Sequence, residues 1–92
     1  MALETANEFV RKTFNDDEFL KEVIRHGGFN DKAPDEEKTF LITKAAKELG
    51  YDVTEDEYTE ASGAYFKELG VFGVIKTLRH VGKVVKKVRK EK

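Results

Sequence analysis

The sequence predicts an all-α fold, a small bundle of about four short helices followed by a basic amphipathic C-terminal helix, and three observations predict it. Apolar residues recur at intervals of three and four, the spacing that collects them on one face of a helix. Start signals of the Thr-x-x-Glu kind and glycine stops punctuate these stretches. No segment alternates apolar and polar residues as a half-buried strand would.

The elements follow in order. Thr5 and Glu8 have capping-box spacing, and Ala6, Phe9, Val10 and Phe14 then recur at helical intervals, giving a first helix over about Thr5 to Phe14. Asn15 and Asp16 break it and recap a second helix whose apolar residues are Phe19, Leu20, Val23 and Ile24. Gly27-Gly28 ends that helix, and Phe29 to Ala33 is a loop. Pro34 suits the first turn of a third helix, with Asp35, Glu36 and Glu37 at the positive end of its dipole. Phe40, Leu41, Ile42, Ala45, Ala46 and Leu49 form its buried side, and Gly50 stops it. Thr54 and Glu57 open a fourth helix with Tyr58, Ala61, Tyr65 and Leu69 inward. Val71, Val74, Leu78, Val81, Val85 and Val88 then form an amphipathic stripe, with cations on another face.

Composition excludes several functions. The 92 residues hold no Cys and two His, so disulfide frameworks, Cys-built zinc sites, iron–sulfur ligation and thiol catalysis are all absent. Acidic clusters at Asp16 to Glu18, Asp35 to Glu37 and Glu55 to Glu57 each sit at a helix start, where dipole and capping effects account for them. His26 falls in the last turn of a helix and His80 lies among lysines. Ser62 is the single serine and has no His or acidic partner at a triad spacing. Gly70 and Gly73 lack the strand and the full pattern of a phosphate loop. No catalytic, metal-binding or cofactor-binding residue is expected, and no enzyme.

Charge carries the functional information. Met1 to Gly63 contains 8 Lys and Arg against 16 Asp and Glu, net −8, whereas Ala64 to Lys92 contains 9 against 2, net +7. Such asymmetry points to an interaction arm. The arm's cations are Lys76, Arg79, Lys83, Lys86, Lys87, Arg89 and Lys90. A cationic face beside a Val/Leu/Ile face suits an anionic membrane interface or an acidic partner. Nucleic acid is disfavoured, because the acidic part repels phosphate and few aromatics interleave the lysines. Docking of the basic helix on the acidic bundle is electrostatically favoured; the opposing reading makes the valine stripe simply part of the bundle core.

The segments FVRKTFNDDEFLKEVI and ITKAAKELGYDVTEDEYTEA resemble the Nif-eleven leader-peptide family, the N-terminal leaders of ribosomally made, modified peptides and bacteriocin precursors. The resemblance covers about Leu3 to Ala64. It implies an acidic helical leader over 1–64, a core peptide over 65–92, and a processing site at Gly63-Ala64. In that register Val53, Thr54, Glu57, Tyr58 and Ala61 stand at the leader-recognition positions. The family's leaders usually end in Gly-Gly or Gly-Ala; here Tyr58 and Ala61 replace the usual aliphatics, and Ser-Gly-Ala is a weaker site than a Gly-Gly pair. The helical spacing Tyr58, Ala61, Tyr65, Leu69 also runs straight across Gly63.

The resemblance implies a maturation enzyme or a double-glycine-type peptidase or transporter as partner. The N-terminal stretch has neither the basic start nor the apolar run of a secretory signal, so the full-length chain is expected in the cytoplasm, with the C-terminal peptide secreted if cleaved. The resulting expectation is a precursor of a cationic, bacteriocin-like amphipathic peptide, kept soluble by its acidic leader through charge complementarity. The alternative is an uncleaved helical binding protein that uses the basic helix against an anionic membrane or an acidic protein.

Overall fold

The computed structural model describes Ala2 to Glu91, and among these residues there are four helices and no strand. The architecture is all-α, as the periodicity predicts.

Helix α1 spans Ala2–Asn15. It starts upstream of Thr5, so the Thr5/Glu8 pair lies inside the helix and caps nothing. Ala2, Leu3 and Glu4 are themselves good helix formers and extend the helix past the motif. Its inward face is Ala6, Phe9, Val10 and Thr13. Thr13 is not apolar, and its burial depends on Oγ1 donating to the Phe9 carbonyl at 2.7 Å.

Asp16 leaves helical geometry at φ −127°, ψ 107° and accepts from the amides of Glu18 and Phe19 at 3.0 and 3.3 Å, starting α2 (Asp17–Arg25). At its far end the Gly28 amide donates to the Val23 carbonyl at 2.9 Å and the Gly27 amide to the Ile24 carbonyl at 3.0 Å. This is the double bond set of a Schellman ending, with Gly27 at φ +102°. The same device closes α3 (Asp35–Glu48), where Tyr51 donates to Ala46 at 2.8 Å, Gly50 to Lys47 at 3.1 Å, and Gly50 has φ +95°.

Two details of α3 differ from expectation. Pro34 sits at the N-cap, one residue before the first turn, and caps with its fixed φ of −58° and no side-chain bond. Phe40 points outward, at 52 % exposed, while Ile42, Ala45 and Ala46 are buried. Two residues before Ile42 is about 200° round the helix, so both side chains cannot face the core.

Thr54 and Glu57 form the expected capping box: Glu57 donates its amide to Thr54 Oγ1 at 3.2 Å, and Glu57 Oε1 accepts from the Thr54 amide at 2.9 Å. They open α4 (Glu55–Lys90), which is broken at Gly70, where φ 74° and ψ 175° are non-helical. The break divides α4 into a first arm, 55–69, and a second arm, 71–90. The predicted basic helix is therefore separate, but the backbone turns at Gly70, while the charge changes sign at Gly63-Ala64. Helix continues through that pair.

Two clusters make the interior. The larger surrounds Phe9, whose ring centroid lies 5.8 Å from Phe19, 5.7 Å from Tyr51 and 6.2 Å from Tyr58, with Val23, Ala45, Ala46, Val53 and Ala61 buried around them. The smaller packs Leu20 of α2 against Val81, Val84, Val85 and Val88 of the second arm. Phe14 and Phe29 border both, with centroids 5.9 Å apart.

The valine stripe thus divides. Its distal part, with Val84 added, is core; Val71 and Leu78 are exposed at 73 and 55 %. The reason is length. Nine residues of α2 extend about 13 Å, whereas the twenty residues of the second arm extend about 30 Å, so the surface offering Leu20 cannot cover the whole stripe.

Candidate functional site: the second arm of helix α4

Going round the second arm, the buried valines occupy one side and cations the opposite side. Lys76, Arg79, Lys83, Lys86, Lys87 and Lys90 are all exposed, and among the described residues none has an ion-pair partner within 4.0 Å. Arg89 differs, because it pairs with Asp31 of the loop before α3.

Apolar residues also stand on the exposed part of the arm, Phe72 and Ile75 among them outside the predicted stripe. Phe72 is 83 % exposed, and Val71, Ile75 and Leu78 are exposed beside it. Helical spacing sets Phe72 in line with Lys76, Arg79 and Lys83. The signal for it was in the chain: residues 71, 72, 74, 75 and 78 supply more apolar side chains than one stripe of a helix can hold.

The arm is held down chiefly by apolar packing. Opposite charges meet at Arg89 with Asp31, and His80 Nε2 lies 2.6 Å from Asp17 Oδ1. Other pairs run the other way, with base on the bundle: Arg25 with Glu91, the residue that caps α4, at 2.8 Å, and Arg11 with Glu68 of the first arm at 3.2 Å. Charge complementarity between the acidic bundle and the basic arm therefore contributes little to holding the arm, because exposed pairs of this kind are screened by solvent. Hydrogen bonding from Arg89 holds the Asp31 carboxyl below its ordinary pKa, and hydrogen bonding from Arg25 does the same for Glu91. The Arg25 guanidinium is raised in turn, first by Glu91 and then by Glu22.

The residues at the leader-recognition positions are not brought together on a surface. Val53, Tyr58 and Ala61 are buried in the Phe9 cluster, and burial pushes the Tyr58 phenol up to about 12. Thr54 and Glu57 bond each other in the capping box. Gly63 and Ala64 are exposed on the first arm, and a Cβ at Gly63 would meet nothing within 4 Å. Just beyond, Tyr65 stacks on Phe14 at 5.7 Å and its hydroxyl accepts from Asn15 Nδ2 at 3.0 Å. Residues 65–92 are thus tied to the bundle from their first side chain.

Among the described residues no three His, Asp or Glu side chains converge on a point that could hold a metal ion, and no helix is long and apolar enough to cross a membrane. Comparison of the chain with protein-family models, with curated proteins and with solved structures gives no match.

Proposed function

We propose that the folded chain is a surface-binding protein that docks on anionic lipid through the outer face of the second arm of α4. The observation that carries this reading is the combination on one exposed face of Phe72, Val71, Ile75 and Leu78 with six cations that have no partner among the described residues. An interfacial helix needs both parts. Each Lys or Arg near an anionic bilayer contributes about 1 kcal/mol, and removing a side chain such as Phe72 from water contributes about 1.5–3 kcal/mol. Scattered exposed hydrophobics need no explanation, but four within two turns of helix do.

The test is co-sedimentation of the full chain with vesicles of mixed phosphatidylcholine and phosphatidylglycerol and with phosphatidylcholine alone. Binding to the anionic vesicles only, weakened about tenfold by Phe72→Ala and weakened by added salt, is expected. Equal binding to both vesicle types, or none, sinks the reading.

A second reading, the bacteriocin-like precursor, is favoured by one observation: the exposed Gly63-Ala64 pair stands where the charge changes sign. In that reading the bundle is a leader that covers Val81, Val84, Val85 and Val88 of the core peptide until cleavage. Incubation with a double-glycine-type peptidase and intact-mass measurement decides it. Fragments with the masses of residues 1–64 and 65–92 support the reading; an uncut chain, or a cut elsewhere, removes it.

A further inference from the structure

Beside the outer face of the arm lies a groove that shares Leu78 and Lys86 with that face and is otherwise separate from it. It encloses about 340 Å³ between the second arm and the chain from Phe29 to Ile42, with Phe29, Ile42, Leu78, Val81 and Val85 along its floor. Gly82 forms part of the wall, and a Cβ built there would meet nothing within 4 Å, so the groove is open on that side because the residue has no side chain. Lys38, Lys86 and Arg89 stand around it with one carboxylate, Asp31, which Arg89 already engages. Lys38 meets Asp35 at 3.1 Å, whereas Lys86 has no ion pair among the described residues. The cleft is apolar within and carries excess positive charge at its edge.

A second cavity of about 320 Å³ lies on the other side of Phe29 and Arg89, lined also by Ile24 and Val88. Phe29 borders both. Its φ of 57° is a left-handed conformation that bulky residues rarely occupy, and an observed outlier of this kind is a reason to look for function.

We propose that the groove binds a single-chain aliphatic carboxylate, its chain along the floor past Gly82 and its headgroup at Lys86. The charge at the rim selects an anion, and the apolar floor selects a hydrocarbon chain. At the small end of ligand pockets, which run from roughly 300 to 1,000 Å³, the groove admits one chain and not the two of a bilayer lipid.

The experiment titrates the full-length protein with dodecanoate, kept below its micelle-forming concentration, and follows backbone amide shifts by NMR. Saturable one-to-one binding is expected, with the largest shifts at Phe29, Ile42 and Gly82. Gly82→Leu fills the groove with a better helix former in open space, so it retains the circular dichroism of the parent and loses binding at least tenfold. Lys86→Glu weakens binding several-fold, and dodecyltrimethylammonium, with the same chain and the opposite charge, binds more weakly than dodecanoate. No saturation, equal affinity in Gly82→Leu, shifts confined to Val71, Phe72 and Ile75, or a dimer that Gly82→Leu dissociates each overturn the proposal. Gly82→Leu leaves vesicle binding in place, so failure of the groove and failure of lipid docking read out separately.

Discussion

The second arm of α4 carries one apolar pattern with two fates. Val81, Val84, Val85 and Val88 are buried on Leu20, whereas Val71 and Leu78, earlier on the same stripe, stand in solvent. Nothing in the side chains distinguishes the two parts; what differs is whether a partner surface reaches them. The lesson recurs elsewhere in the chain. Thr54-x-x-Glu57 caps a helix while Thr5-x-x-Glu8 lies inside one, and Gly70 breaks α4 while Gly63, Gly73 and Gly82 ride within it.

The sharpest way to break this comparison is truncation on each part of the stripe. Leu20→Ala opens a hole under the four valines and is expected to cost about 2–5 kcal/mol in urea unfolding, against about 0.5 kcal/mol or less for Leu78→Ala. Similar costs for both would mean that the proximal part is also packed. Next in size is the pair of glycines. Gly70→Ala forces a side chain into a region of backbone space reserved for glycine, at about 1–3 kcal/mol, while Gly82→Ala stabilises by up to about 1 kcal/mol. Opposite signs are the signature of a break confined to Gly70; a gain at both positions would mean that the helix is straight.

The two Thr-x-x-Glu motifs separate by a smaller margin. Thr54→Ala removes a made cap and is expected to lower stability by about 1 kcal/mol, whereas Thr5→Ala stays within about 0.5 kcal/mol, measured by the same denaturation.

Smallest is the effect of acid on the end of the arm. Asp31 and Glu91 are both held below their ordinary values, so their contribution is complete above the usual carboxylate range and is lost as pH falls through the lowered ones. Amide exchange in the last turn, near Val88 to Lys90, taken relative to the intrinsic rate at each pH, should therefore quicken below about pH 4 while that of Val81 changes less. Uniform acceleration along the whole arm would assign the effect to global unfolding.

What could be read from the chain, and what could not, follows the same division. Asp16, Gly27-Gly28, Gly50 and the Thr54/Glu57 box were legible because a cap or a left-handed stop is settled by a handful of neighbouring residues. Phe40 was misassigned because six apolar residues over ten positions offer more than one face, and only the position of the neighbouring helices chooses among them. The division of the valine stripe depends on the nine-residue length of α2, far away in sequence. Charge asymmetry located the basic arm but not the break at Gly70, since side-chain charge carries no information about backbone torsion. At the candidate site the cations were readable and Phe72 was passed over, because attention to a single stripe hides a residue standing beside it.

Phe14 has a consequence for any cut at Ala64. Its ring meets Tyr65 at 5.7 Å, Phe66 at 5.3 Å and Phe29 at 5.9 Å, all independent of the peptide bond between residues 64 and 65. Hydrolysis there severs the covalent link and leaves this aromatic joint and the Leu20 valine contacts in place. A chain cut there would keep these contacts and so remain a two-chain complex until something competes for the valines. Anything that takes up apolar side chains, a bilayer included, would compete with Leu20 for those valines.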